Sequence, residues 1–233
     1  MSRSFWRSTA WCVGPFLVAL PGCVSYGSHL SATPTARGKT EFSANVDAVV
    51  LDRGFGPQLL PNPEFSIRRG LGRDVDLGLR LNALGGEASS RIGLFERARY
   101  RLTSVPLLGG GFVPITNQDT GLVTTTAGVV LLNGISIASR TELVVGLRGQ
   151  ARLDLNAVAV QEDFGAATWR LVPGASLGVR FPLSRKLYLF PELVVVVPHE
   201  FDEGSWESPI VQGGVGLQWG SGGDSSRTQS APP

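Results

Sequence analysis

Cysteine and histidine are scarce in this chain, and their scarcity excludes several kinds of chemistry. The 233 residues contain two cysteines, Cys12 and Cys23, and two histidines, His29 and His199. CxxC redox motifs and thiolate metal sites are therefore excluded. The glycine run at residues 109–111 lacks the lysine and the following helix of a phosphate-binding loop. The sequence predicts no metal, no cofactor and no catalytic residue.

An excess of charge of one sign is also missing. The chain has 21 basic and 19 acidic residues, and removal of a leader containing Arg3 and Arg7 leaves 19 of each. Because nucleic-acid binding needs a basic excess, no nucleic-acid partner is predicted.

Long apolar runs are absent too, and the stretch at residues 11–20 is too short for a membrane-spanning helix. Glycine is abundant, with 30 residues, which favours an all-β chain.

The N-terminus has the pattern of a secretion leader. Arg3 and Arg7 precede the apolar stretch at residues 11–20, so residues 1–22 are predicted to be a signal peptide. The sequence LPGC at residues 20–23 resembles a lipobox. The resemblance implies that Cys23 is acylated, as by palmitate, and becomes the first mature residue. The next residue, Val24, is compatible with transport of the lipoprotein to the outer membrane. The alternative is an ordinary signal peptide that is cut nearby.

Composition divides the rest of the chain into three parts. Residues 23–39 are rich in Ser, Thr, Gly and Pro, which predicts a lipidated N-terminus followed by a flexible tether. Residues 221–233 form a polar tail that is predicted to be disordered. Residues 40–220 have no internal linker and are predicted to form one β-barrel domain.

Strict alternation of apolar and polar residues runs through this domain and predicts β-strands. In the segment DVDLGLRLNALG, Leu77, Leu79 and Leu81 alternate with Gly78 and Arg80. The predicted fold is an antiparallel up-and-down transmembrane barrel of about ten strands, with eight or twelve as alternatives. The predicted strands span residues 40–51, 62–71, 74–84, 89–102, 105–114, 121–135, 140–154, 167–181, 186–197 and 208–219, lengths that suit membrane-spanning strands.

The content of the polar face favours a membrane barrel over a soluble one. This face carries many Gly and Ser residues and charges of both signs, with Arg more frequent than Lys, as expected for ion pairs inside a narrow lumen. The apolar face is then outermost. Aromatic girdles are predicted from Phe42, Tyr100, Phe181 and Trp219 at the periplasmic strand ends and from Phe65 and Trp169 at the extracellular ends.

A charge network is predicted inside the lumen. Arg97, Arg99 and Arg101 have a spacing of two and project to one face, where they could form an anion constriction. A salt-bridged lumen is the favoured interpretation, with Asp74 and Asp76 as partners. Glu96 falls on the lipid side by strict alternation, unless a bulge turns it inward. The predicted network consists of Arg68, Arg80, Arg97, Arg99, Arg101, Asp74 and Asp76.

His199 lies in a predicted outer loop beside several acidic residues. A metal site, an acid/base pair of the omptin type, or a Ser-His-Glu group with Ser205 or Ser208 like that of lipid-A deacylases would need this histidine. No omptin motif is present. The favoured interpretation is a solvated acidic loop, with divalent ions or lipopolysaccharide as possible partners.

The segment QGGVGLQW at residues 212–219 resembles the closing-strand signal of outer-membrane β-barrels, carried by Gln212, Gly214, Leu217 and Trp219. With LPGC and the alternating strands, residues 20–219 are similar to small Gram-negative outer-membrane barrel proteins. The resemblance implies residence in outer-membrane lipid and insertion by the barrel-assembly machinery. The predicted role is structural, surface-interacting or minor transport. The alternatives are a soluble periplasmic barrel lipoprotein that binds a hydrophobic ligand, or a rim-active hydrolase.

Overall fold

The computed structural model describes residues 26–52, 57–115, 120–156 and 167–220. The predicted signal peptide, the predicted acylation site Cys23 and the predicted polar tail lie outside these residues. Within them, no helix is long and apolar enough to cross a membrane.

Ten long antiparallel strands of the described chain form a closed barrel. Each long strand pairs with its neighbours in sequence, the first pairs with the last, and the pairing of the eighth with the ninth completes the circuit. Two short strands between the ninth and the last, His199–Glu200 and Ser205–Trp206, extend the wall beyond the eighth. The prediction of a ten-stranded up-and-down barrel is confirmed. The strands are β1 Thr40–Asp52, β2 Pro57–Gly70, β3 Val75–Asn82, β4 Gly85–Arg97, β5 Tyr100–Ile115, β6 Thr120–Ala138, β7 Thr141–Asn156, β8 Ala167–Pro182, β9 Leu187–Val196, β10 His199–Glu200, β11 Ser205–Trp206 and β12 Ile210–Gly220.

Apolar side chains face outward and polar ones face the lumen. On β3, Leu77 and Leu79 are 51% and 58% exposed, whereas Asp76, which precedes Leu77 and faces the other side of the strand, is fully buried. A soluble barrel has the opposite arrangement. Only a lipid environment makes an apolar exterior favourable, and a closed barrel leaves no unpaired strand edge in it. The protein is therefore built as an outer-membrane barrel, and the outer membrane is its location.

The two ends of the barrel differ. One end, called the turn end, has short links at residues 71–74, 98–99, 139–140 and 183–186, and the other, called the loop end, includes β10 and β11. At the turn end Phe42 and Trp219 stack with ring centroids 5.9 Å apart, as in an aromatic girdle. Phe65 was predicted at the loop end, but β2 begins at Pro57, so Phe65 lies within the strand opposite Ala44.

The predicted strand at residues 89–102 is wrong in its bounds. β4 ends at Arg97, and β5 begins at Tyr100. Ala98 takes a left-handed conformation with φ of 47°, which closes a two-residue turn where alternation alone predicts continuity. The ladder also shifts register between Gly93 and Phe95. This shift places Glu96 opposite Arg101, so it lies near the turn end in an ion pair and not in hydrocarbon.

The barrel is not empty. Residues 26–36, here called the lumen segment, lie inside it, and nearly all of them are buried. The prediction of a flexible tether is wrong for this part of the chain. Its small side chains, which are typical of linkers, also let it fit within a narrow lumen.

Candidate functional site: the occupied lumen

Followed from Ala36 back to Tyr26, the lumen segment runs from the turn end of the barrel toward the loop end. Arg37 forms a bridge with Gly70 at the turn end. At the other end of the segment, Tyr26 belongs to an apolar cluster with Val172, Val194 and Val196, and Val196 is the last residue of β9. The segment therefore crosses most of the barrel height.

Arg91 is the main link between the barrel wall and the turn-end half of the segment. Its side chain is fully buried, and its Nε donates to Asp76 Oδ2 at 2.8 Å. Its Nη1 donates to the carbonyl and hydroxyl oxygens of Ser31 at 3.2 and 3.1 Å. Its Nη2 donates to Thr35 Oγ1 at 2.7 Å and Glu41 Oε1 at 3.2 Å. One guanidinium thus joins two wall carboxylates to two residues of the segment.

Glu192 holds the loop-end half of the segment. Its carboxylate accepts hydrogen bonds from the backbone N–H groups of Ser28 at 2.8 Å and His29 at 2.7 Å, and from Ser28 Oγ at 2.8 Å. Gln212 accepts from the backbone N–H of Tyr26 at 2.8 Å and donates to Asp47 Oδ2 at 2.7 Å. These side chains satisfy backbone groups that no neighbouring strand reaches.

Both ring nitrogens of His29 face acceptors. Nε2 lies 2.6 Å from Asp47 Oδ1, and Nδ1 lies 3.2 Å from the carbonyl oxygen of Phe190. A carbonyl oxygen accepts only, so Nδ1 is the donor in this contact, and Nε2 shares a proton with the Asp47 carboxylate. His29 thereby binds the wall through both ring nitrogens. It has no free nitrogen with which to act as a base toward Ser28.

One wall of the lumen is apolar. Leu30 and Ala32 of the segment pack in one buried cluster with side chains of β5, β6, β7 and β9. Thr103 on this wall also donates a hydrogen bond to the carbonyl oxygen of Ala32. The wall members of the cluster are Val105, Leu107, Val130, Leu132, Val144 and Phe190.

Glycines in the wall make room for the segment. A Cβ added at Gly70 would collide with the carbonyl oxygen of Ala36, and one at Gly134 would lie 2.7 Å from Ala32 Cβ. At Gly214 an added Cβ would meet both Asp47 and His29 Nε2, the latter at 3.0 Å. The wall is therefore shaped around the segment at several levels.

Four of the seven residues of the predicted lumen network form ion pairs on the strands, and the other three lie in links or at an exposed turn. Arg68 and Asp76 lie in the lumen and pair at 2.8 Å, and Arg80 pairs with Glu87 at 2.7 Å. Arg101 pairs with Glu96 near the turn end. The other three residues of the prediction lie elsewhere: Arg97 and Arg99 are exposed at the turn between β4 and β5, and Asp74 lies in the link before β3. The predicted partners of the Arg97–Arg101 series were wrong because Asp76 is taken by Arg68 and Arg91.

The predicted closing-strand residues lie in β12, which pairs with β1 and β9. Gln212 faces the lumen, Gly214 lies against Asp47, and Leu217 and Trp219 face outward. Trp219 is the member that stacks on Phe42.

His199 does not join an acidic cluster. It lies opposite Leu171 and Trp206, and its ring is 4.6 Å from that of Trp206 and 5.7 Å from that of Phe201. Its Nδ1 donates to the carbonyl oxygen of Ser205 at 2.9 Å. The adjacent Glu200 instead binds Arg170 at 2.9 Å. The described residues contain no group of His, Cys, Asp and Glu that could hold a metal ion.

Sequence reasoning missed the lumen segment, Glu192 and Arg91 as members of one site. Arg91 and Glu192 lie on the polar face of their strands, but nothing in their spacing singles them out. A usable signal exists in His29, since an isolated histidine in an uncharged stretch of Ser, Thr and Pro is unusual for a solvated linker. The glycines of β12 that face the lumen are a second signal.

Comparisons with known proteins give the following result. No family model matches the chain, and no curated protein matches it. Among solved structures, the chain is similar to the outer membrane protease OmpT from Escherichia coli, with 9% identity, a TM-score of 0.45, and coverage of 83% of this chain and 100% of that one. Neisserial surface protein A follows, with 10% identity, a TM-score of 0.40, and coverage of 78% and 95%. The attachment invasion locus protein Ail of Yersinia pestis has 12% identity, a TM-score of 0.35, and coverage of 78% and 99%. Similarity this remote carries no inference about what the chain does.

Proposed function

We propose that this barrel is a non-enzymatic outer-membrane protein that acts through its surfaces and not as an open pore. The observation that supports this is the occupied lumen. A ten-stranded barrel is narrow, and here the lumen segment fills it with buried contacts to both walls. A structural or surface-interacting role follows, and minor transport would require the segment to move.

Conductance measurements test this proposal. The full mature chain is refolded and inserted into planar lipid bilayers, and current is recorded at increasing voltage. We expect no steady open channel. Brief openings that become frequent in an Arg91→Met variant, but not in Arg99→Met, would indicate that the segment can be released for transport. A steady large conductance of the unmodified protein would contradict the proposal.

We also propose that Cys23 is acylated and that its lipid lies at the loop end. Tyr26 packs against Val196 near that end, and three residues of chain reach about 10 Å at most. An anchor on the periplasmic side would require a tether that hangs free of the barrel. A segment that crosses the lumen delivers the N-terminus to the opposite mouth, which faces the cell exterior if the short turns are periplasmic.

Thiol labelling in intact cells tests the exit side. A Ser25→Cys variant is treated with a membrane-impermeant maleimide and compared with Ser139→Cys, whose thiol lies in a turn-end link. We expect Ser25→Cys to react in intact cells and Ser139→Cys only after permeabilisation. The reverse pattern would contradict exit at the loop end. Separately, mass spectrometry of the N-terminal peptide decides acylation, and an unmodified Cys23 would refute that part alone.

A further inference from the structure

The outer surface of β4 forms the floor of a groove. The outward residues at its centre, Gly86, Ala88 and Ser90, are small. They lie between larger side chains of the neighbouring strands, because Ala88 is opposite Leu79 on β3 and Leu108 on β5. The resulting groove has a volume of about 670 Å³ and is lined mainly by apolar side chains, including Ile67 and Leu77. Its apolar lining suits a hydrocarbon chain.

A cationic side chain closes the turn end of this groove. Arg69 lines the groove, is exposed on the barrel exterior opposite Leu77, and donates to Thr40 Oγ1 at 2.8 Å. The guanidinium therefore lies beside the first residue of β1, at the turn end of the barrel. Arginine binds phosphate oxygens through paired hydrogen bonds.

The whole turn end is basic. Each of its four short links carries at least one basic residue, and the strand ends add more. The acidic residues described there that are not buried in the lumen are Asp74 and Glu96. The exposed basic residues are Arg37, Lys39, Arg69, Arg73, Arg97, Arg99, Arg185 and Lys186. Such a rim attracts anionic headgroups in the adjacent leaflet.

We propose that the β4 groove binds an anionic phospholipid from the leaflet at the turn end. One acyl chain lies over Ala88 between Leu79 and Leu108, and the phosphate pairs with Arg69. A second copy of the barrel is a poorer occupant, because two such faces would bring Arg69 and Arg73 of one copy close to like charges of the other.

Native mass spectrometry tests the site. The refolded mature chain in detergent is mixed with phosphatidylglycerol or with phosphatidylcholine of the same acyl chains, and retained lipid is counted. We expect phosphatidylglycerol to be retained preferentially. Ala88→Phe fills the groove, and Arg69→Gln removes the charge. Each should weaken phosphatidylglycerol binding roughly tenfold, Ala88→Phe by excluding the acyl chain and Arg69→Gln by loss of the equivalent of one charge-assisted hydrogen bond.

Matched variants distinguish lipid binding in the groove from nonspecific lipid contact elsewhere on the barrel. Ala127→Phe enlarges an outward residue of β6, and Arg185→Gln removes a basic residue of the same rim outside the groove. Both should bind phosphatidylglycerol like the unmodified protein, and heat-modifiable mobility checks that every variant is folded. Equal retention of the two lipids, equal effects of Ala88→Phe and Ala127→Phe, or a dimer mass that Ala88→Phe abolishes would each overturn the proposal.

Discussion

The wall formed by β1, β3, β4 and β12 meets the lumen segment with charged and amide side chains, whereas the wall formed by β5 to β7 meets it mainly with apolar ones. β9 contributes to both, with Glu192 on the polar side and Phe190 on the apolar side. The polar wall binds backbone groups of residues that no strand pairs with, through Arg91, Glu192 and Gln212. The apolar wall instead packs against Leu30 and Ala32. The difference separates two tasks, since hydrogen bonds fix the register of an extended segment and apolar contacts bury its side chains.

The largest effect should come from the polar wall at Arg91. Arg91→Met removes the hydrogen bonds to Ser31 and Thr35 and leaves Glu41 buried without this cation. Breaking a buried ion pair in this way costs about 3–5 kcal/mol. Urea unfolding in lipid vesicles, followed by tryptophan fluorescence, measures the change. The exposed Arg99→Met should leave the midpoint unchanged, and an equal loss in both variants would count against a special role for Arg91.

The apolar wall is tested by a smaller loss at Leu132. This side chain is fully buried in the cluster that holds Leu30 and Ala32, and Leu132→Ala should cost about 2–4 kcal/mol through lost contacts and a cavity. Leu131, its neighbour in sequence, is 37% exposed on the lipid side. Leu131→Ala should be much milder in the same unfolding assay. If the two variants are equally destabilised, the inner wall does not pack as described.

The smallest effect should come from Glu192→Gln. The amide oxygen can still accept from the backbone N–H groups of Ser28 and His29, but the charge is lost, which should cost about 1–2 kcal/mol. Release of the segment should appear before global unfolding, as faster proteolysis at its residues by an unspecific protease. Glu203→Gln in the exposed loop is the control. Unchanged protection of the segment would show that Glu192 is dispensable.

Much of the fold could be predicted from the sequence because the period of two is preserved wherever one face meets lipid. Runs such as Leu77, Leu79 and Leu81 define both the strand and its outer face. The turn at Ala98 could not be predicted, since alanine has no general preference for the left-handed conformation that it adopts there. Because alternation predicts no turn at residues 98–99, Arg97 and Arg99 were wrongly assigned to the lumen.

The site was less predictable than the fold. A Ser-, Thr- and Pro-rich stretch is typical of a solvated linker, yet here its backbone is bound by side chains that are distant in sequence, such as Glu192. Pairing a charged wall residue with a backbone group leaves no periodic signal. Only the three-dimensional closeness of Gly134 and Ala32, or of Gly214 and His29, reveals that the segment and the wall fit each other.

The central claim is that the lumen segment lies inside the folded barrel, and disulfide cross-linking tests it most directly. A Cβ at position 134 would lie 2.7 Å from Ala32 Cβ, close enough to form a disulfide after a small shift. In a Cys23→Ser background, Ala32→Cys combined with Gly134→Cys should cross-link on mild oxidation of the folded protein and alter its non-reducing gel mobility. Ala32→Cys combined with Gly149→Cys, which faces outward, should not cross-link. Failure of the first pair, or equal cross-linking of both pairs, would contradict an occupied lumen.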